Sequence, residues 1–106
     1  MSFRALLHLL GHALWPGLLA RLAWPRTFWR AWLTLVLANL VDLDHLLADP
    51  IYDPGRCSIG HHPLHTLPAI AVYALLVLPR PTRVLAVGLL LHMLWDQIDC
   101  WWMRVC

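Results

Sequence analysis

The sequence predicts an all-α fold: a small antiparallel four-helix transmembrane bundle with one long loop between helices 2 and 3, a single domain over residues 1–106. Composition is the first reason. Apolar residues make up 60% of the chain, charged residues only 13%, and the mean hydropathy is +0.63. A soluble domain is about 45–50% apolar and about 25% charged. So little polar surface cannot cover a water-facing globule, which leaves a small integral membrane protein or a very apolar helical subunit of a larger one. Disorder, collagen, coiled coil and a disulfide-rich secreted scaffold are excluded on the same grounds. The second reason is run length. The apolar runs are rich in Leu and Ala rather than β-branched residues, and they exceed the ~5–6 residues of an ordinary strand.

Four helices follow in order. The first is expected from Phe3 to Leu22 and the second from Thr27 to Ala48. A third spans Thr66 to Leu78 and a fourth Thr82 to Met103. A bilayer core takes ~20 apolar residues per helix, so the second and fourth are long enough and the third is short. The first qualifies if it tolerates His8 and His12. These two histidines and Trp15-Pro16 also argue against reading the opening run as a cleaved signal peptide. Trp24-Pro25-Arg26 and Pro79-Arg80-Pro81 are tight breaks that suit antiparallel neighbours. Asp49 to His65 is the one long polar connection.

All eight cations are Arg, all six acids are Asp, and there are seven His. The His and Asp residues are His8, His12, Asp42, Asp44, His45, Asp49, Asp53, His61, His62, His65, His92, Asp96 and Asp99. Antiparallel folding brings all of them to one end of the bundle. Arg21, Arg26, Arg30, Arg80 and Arg83 collect at the other. His8 and His12 share a helix face at i,i+4; Asp42, His45 and Asp49 share another, as do His92, Asp96 and Asp99. On a regular helix Asp44 points away from Asp42, toward the loop or a second metal. Charges at membrane depth normally face a bundle interior or a functional cavity. Imidazole and carboxylate are ligands of Zn²⁺, Mn²⁺ and Fe²⁺, so this end is expected to bind metal or handle protons.

The Arg-rich end is expected in the cytoplasm, with the His/Asp end toward the periplasm. Seven Trp are read as an interfacial belt, and a net charge of +2 is too small and scattered to indicate nucleic acid. Cys57 and Cys100 both belong to the ionisable end, while Cys106 is terminal. Three readings stay open for the pair: a disulfide holding the loop over helix 4, thiolate ligands, or free buried thiols.

VDLDHLLADPIYDPGRCSIGHHPLHT followed by GLLLHMLWDQIDC resembles a family of short bacterial membrane proteins of unknown function. The blocks DLDHLL, DPxRCSIxxHPLH and HMxxDxxDC carry the resemblance over nearly the whole chain. More remotely, DxDH, an HxxxH-type segment and HxxxD are similar to membrane-bound metal-dependent hydrolases. Through these, the pattern resembles the zinc phospholipase C and nuclease group, helical proteins with His and Asp around several zinc ions. That resemblance implies Asp42, Asp44, His45, His65, His92 and Asp96 as site residues, with His8 or His12. The chain has Pro-Leu-His-Thr where the hydrolases often carry Arg-Gly before His-Ser.

Spacing and resemblance together suggest a metal-dependent hydrolase of the bacterial inner membrane, acting on a phosphoester that is plausibly lipid-linked. His8, His12, Asp42, His45, His62, His65, His92 and Asp96 are the expected ligands of one to three divalent ions, zinc first. Asp44 or Asp99 would orient a ligand histidine or accept a proton from water, and Arg56 would clamp an anion. The alternative is a metal-binding or ion-handling membrane protein without catalysis, or a subunit of a membrane complex.

Overall fold

The computed structural model describes residues 2–50 and 55–105. Asp53 and Cys106, both weighed above, lie outside the described residues. All regular structure among the described residues is helical. Helix α1 runs Phe3–Ala23, α2 Phe28–Leu37, α3 Leu67–Leu75 and α4 Arg80–Val105. Short 3-10 turns occupy Pro25–Thr27 and Pro63–His65. Ser2 caps α1, its Oγ accepting from the Ala5 amide at 3.1 Å. The far end of α3 is closed by side chains of α4. Thr82 Oγ1 donates to the Leu76 carbonyl at 2.7 Å, and Arg83 donates to the Val77 and Leu78 carbonyls at 2.8 Å each. These bonds satisfy carbonyls that a helix terminus leaves open.

The second element departs from expectation in an informative way. It is α-helical only to Leu37 and continues as a 3-10 helix over Ala38–Leu47. At three residues per turn, side chains three apart eclipse, so Asn39, Asp42 and His45 form one column. The α-helical step of about 100° sets residues 42 and 44 about 160° apart, whereas a 3-10 step closes this to about 120°. The smaller angle keeps Asp44 on the polar side, buried against the turn that carries Leu64 and His65, in line with its expected direction toward the loop. The third helix, expected to Leu78, keeps α geometry for only nine residues.

Polarity is inverted relative to a soluble domain. The buried residues include His12, Asp44, His62, His65, His92, Asp96 and Asp99. Meanwhile Leu22, Leu47, Leu67 and Leu78 are each more than 70% exposed. Two helices, Phe3–Ala23 and Arg80–Arg104, are long and apolar enough to cross a membrane. The apolar core is split in two. Ala38, Tyr73, Leu89 and Met93 pack near the polar end, and Ala20, Ala31 and Leu35 pack toward the arginine end.

Between them Gly88 lets α4 lie against the second element. A methyl group there would stand 3.0 Å from the Leu35 backbone and 3.1 Å from the Ala38 Cβ. Backbone cannot yield as a flexible side chain does, so Gly88→Ala is expected to destabilise the fold by about 1–3 kcal/mol. Thermal unfolding in detergent should show a lower midpoint, and an unchanged one would mean that the helices can separate without cost.

Candidate metal centre

Three elements and one turn deliver the polar groups. Helix α1 brings His8 and His12 one turn apart; the 3-10 segment brings Asn39, Asp42, Asp44 and His45. The Pro63–His65 turn brings His65, with His62 just before it, and α4 brings His92, Asp96 and Asp99. His65 is 0% exposed and Asp96 3%. Trp95, read above as part of an interfacial belt, is in fact tied into this end. Its indole donates to the His8 carbonyl at 2.7 Å and lies nearly parallel to the His8 ring.

Four ligand atoms converge at the centre: His65 Nε2, His92 Nε2, Asp42 Oδ1 and Asp96 Oδ2. His65 Nε2 stands 3.2 Å from His92 Nε2, 3.2 Å from Asp42 and 3.1 Å from Asp96. His92 Nε2 stands 3.0 Å from Asp42 and 3.3 Å from Asp96. A tetrahedral zinc site with bonds of ~2.0 Å has ligand-to-ligand edges of ~3.3 Å. Five edges of this set thus match a tetrahedral cation site. Hydrogen bonding alone does not account for them, because each Nε2 carries at most one proton and faces several partners. Asp96 Oδ2 is buried, yet no well-aligned hydrogen bond reaches it.

A second set lies on the other oxygen of the same carboxylate. Asp96 Oδ1 is 2.9 Å from His12 Nε2 and 3.3 Å from His8 Nε2, and the two imidazole nitrogens are 3.2 Å apart. These three ligands border a cavity of about 130 Å³, also lined by Arg4, Arg56, Ser58 and Asp99. A third group, Asp44, His45 and His62, also brings ligand atoms together. There, however, both Asp44 oxygens are already engaged: Oδ1 with His45 Nδ1 at 3.1 Å, and Oδ2 with His65 Nδ1 and the Leu64 amide at 2.9 Å each.

The outer contacts orient the inner ones. Asp44 holds His65 through Nδ1, turning Nε2 to the centre. Asn39 Oδ1 does the same for His92, at 2.8 Å from its Nδ1. Asn39 in turn donates to the His12 carbonyl at 3.1 Å. That carbonyl is open because Pro16, four residues on, has no N–H to offer it. Arg4 donates to Asp99 Oδ1 at 2.8 Å. Burial works against charge on His65, but the hydrogen bonds it donates to Asp42, Asp96 and Asp44 overcome this and push the imidazole up to about 10. Burial and the neighbouring His45 push His62 down to about 4. A proton and a metal ion compete for the same His65 nitrogen.

Of the residues expected from sequence, His8, His12, Asp42, His65, His92 and Asp96 fall in the two sets that meet at Asp96. His45 and His62 fall in the third group and also line the cavity. Asp99 and Arg56 line the cavity, whereas Asp44 stands behind His65. His61 and Asp49 are exposed. Asn39 and Arg4 were not expected, though they extend the helical columns of Asp42 and His8 by three and four residues. Cys57 and Cys100 are joined as a disulfide with Cα atoms 5.2 Å apart, which removes the thiolate-ligand and free-thiol readings.

A family of unknown function, DUF6122, matches residues 2–103. The chain belongs to that family. No curated protein and no solved structure matches the chain. The comparisons give no support to the likeness to hydrolases.

Partners that orient a ligand histidine are typically worth 10–100-fold in metal affinity. Asn39→Ala should weaken zinc binding by about that factor in a competition titration with a chromophoric chelator. Unchanged affinity would show that His92 does not rely on Asn39. Alkylation before and after reduction should reveal two further reactive cysteines, those of the Cys57–Cys100 bond.

Proposed function

We propose that this protein is a membrane-embedded, metal-dependent hydrolase of the bacterial inner membrane, zinc being the fitting ion and a lipid-linked phosphoester the substrate. The observation that carries this reading is the contrast between the two ligand sets. Asp42, His65, His92 and Asp96 form a complete four-ligand set, while His8, His12 and Asp96 leave one direction open to the cavity. A closed set suits a structural ion and an open one suits catalysis. A divalent ion supplies Lewis-acid activation of water and neutralises charge on phosphoryl oxygens.

The chain's own residues do the rest. Arg56 and Arg4 give the cavity wall its cationic groups, which favour a phosphoryl anion. Asp99 Oδ2 lies 3.9 Å from His8 Nδ1 and borders the cavity, the right setting for a proton acceptor. Asp44 keeps His65 oriented. The cavity is large enough to admit several waters. The exposed leucines of α1 and α4 support a position in the bilayer, with the cavity mouth near the headgroups. The disulfide at the His/Asp end and the arginines at the other both favour a periplasmic site.

Protein purified in detergent without chelator should carry zinc and release phosphate from a phosphorylated lipid. His92→Ala should lose at least one ion, and activity should fall at least 100-fold after chelation. Metal-free protein would remove the reading. Metal without turnover would favour the other reading, a structural or ion-handling site, which the closed four-ligand set suits. A reporter after residue 106 should be active in the periplasm and one near Arg80 in the cytoplasm; the reverse moves the substrate to the inner leaflet.

A further inference from the structure

We infer that the two ligand sets form one dinuclear centre, bridged by the carboxylate of Asp96. The inference rests on the metal-dependent reading and specifies how the ions are held. Each oxygen of Asp96 belongs to a different set: Oδ1 lies 2.9 Å from His12 Nε2 and 3.3 Å from His8 Nε2. Oδ2 lies 3.1 Å from His65 Nε2 and 3.3 Å from His92 Nε2. The same small range of edges recurs on both sides of one carboxylate. His8 and His12 present Nε2 to each other at 3.2 Å, and His65 and His92 do likewise. Imidazole nitrogens face one another so closely when a cation lies between them or when one proton is shared. A shared proton leaves the contacts of Asp96 Oδ2 unexplained, since that oxygen is buried and lacks an aligned hydrogen bond.

The third group, Asp44, His45 and His62, shares no residue with these two sets and so takes no part in the bridge. Both Asp44 oxygens are committed, one to His45 and the other to His65 and the Leu64 amide. The bridge itself accounts for two ions per chain. Asp42, His65 and His92 close one site, and His8 and His12 leave the other exchangeable. Two divalent ions outweigh the carboxylates that bind them, Asp42 and Asp96. On the wall Asp99 offsets Arg4 and Arg56 adds a cation, so the loaded cavity attracts an anion.

The test is titration of the metal-stripped full chain with Mn(II), followed by electron paramagnetic resonance. Two equivalents should bind, and the second should quench the isolated-ion signal of the first through coupling across the bridge. His12→Ala and Asp42→Ala should each bind one equivalent and give an uncoupled signal. Asp96→Asn should lose tight binding of both, with helicity checked by circular dichroism. Two equivalents with additive, uncoupled signals, or one equivalent only, overturn the bridge whatever the variants do. Coupled ions in a protein that hydrolyses no phosphoester would sink the hydrolase and leave the bridge standing. Uncoupled ions in an active enzyme would do the reverse.

Discussion

Burial of the Asp96 carboxylate is the constraint on which the rest of this molecule turns. Moving an ionised carboxylate out of water costs several kcal/mol even after relaxation, unless compensating charge and hydrogen bonds surround it. Four imidazole nitrogens stand within 3.3 Å of its two oxygens, and they come from α1, α4 and the turn before α3. No neighbour in sequence except His92 supplies any of them. Satisfying one side chain therefore demands that the helical elements meet at one end and at one height. The outer contacts transmit the same demand. Asp44 positions His65, Asn39 positions His92, and Arg4 reaches Asp99 across 95 residues of sequence.

Backbone irregularities that would weaken a soluble helix become useful parts here. Pro16 in the middle of α1 forfeits a hydrogen bond, and the carbonyl it releases on His12 becomes the anchor of Asn39. The 3-10 stretch over Ala38–Leu47 packs less favourably than an α-helix, but its period of three lines Asn39 up with Asp42 and His45. Runs of 3-10 geometry this long are uncommon and often mark function. Both irregularities border the same ligands, so local cost is concentrated where the polar centre gains from it. Trp95 adds a third device: Gly11 has no side chain to collide with its indole, which can then lie over α1 and reach the His8 carbonyl.

Much of this is legible in the sequence, for a definite reason. Ionisable residues are so scarce in an apolar chain that their placement alone reports where helices meet, as with His8, His12, His92 and Asp96. The helical periods also read correctly wherever the helix is regular, as in α1 and α4. The 3-10 stretch that carries Asp44 is not legible, because a change from 100° to 120° per residue leaves no mark in composition. Asn39 goes unnoticed because it carries no charge, and Arg4 because arginines were counted for topology rather than for partners. Arg83, taken as a topology signal, also has a local use at the end of α3. The cysteine pairing was one of three open readings because it depends on a Cα separation that no spacing encodes.

The disulfide completes the logic of the polar end. The polar groups on helices are held by the packing of α1, α4 and the second element, whereas His62 and His65 come from a connection without a long helix of its own. Two hydrogen bonds add to its packing. Asp44 accepts from the Leu64 amide, and Tyr73 donates to the Leu64 carbonyl at 2.8 Å, so the turn is gripped from both sides. Cys57 then joins the loop to Cys100 on α4, one residue beyond Asp99, closing 43 residues of sequence. In the chain-entropy view such a closure is worth about 4 kcal/mol. Its placement matters more than its magnitude. The bond fixes the one ligand-bearing segment without a long helix to the helix that carries His92 and Asp96, so all ligands share a single rigid frame.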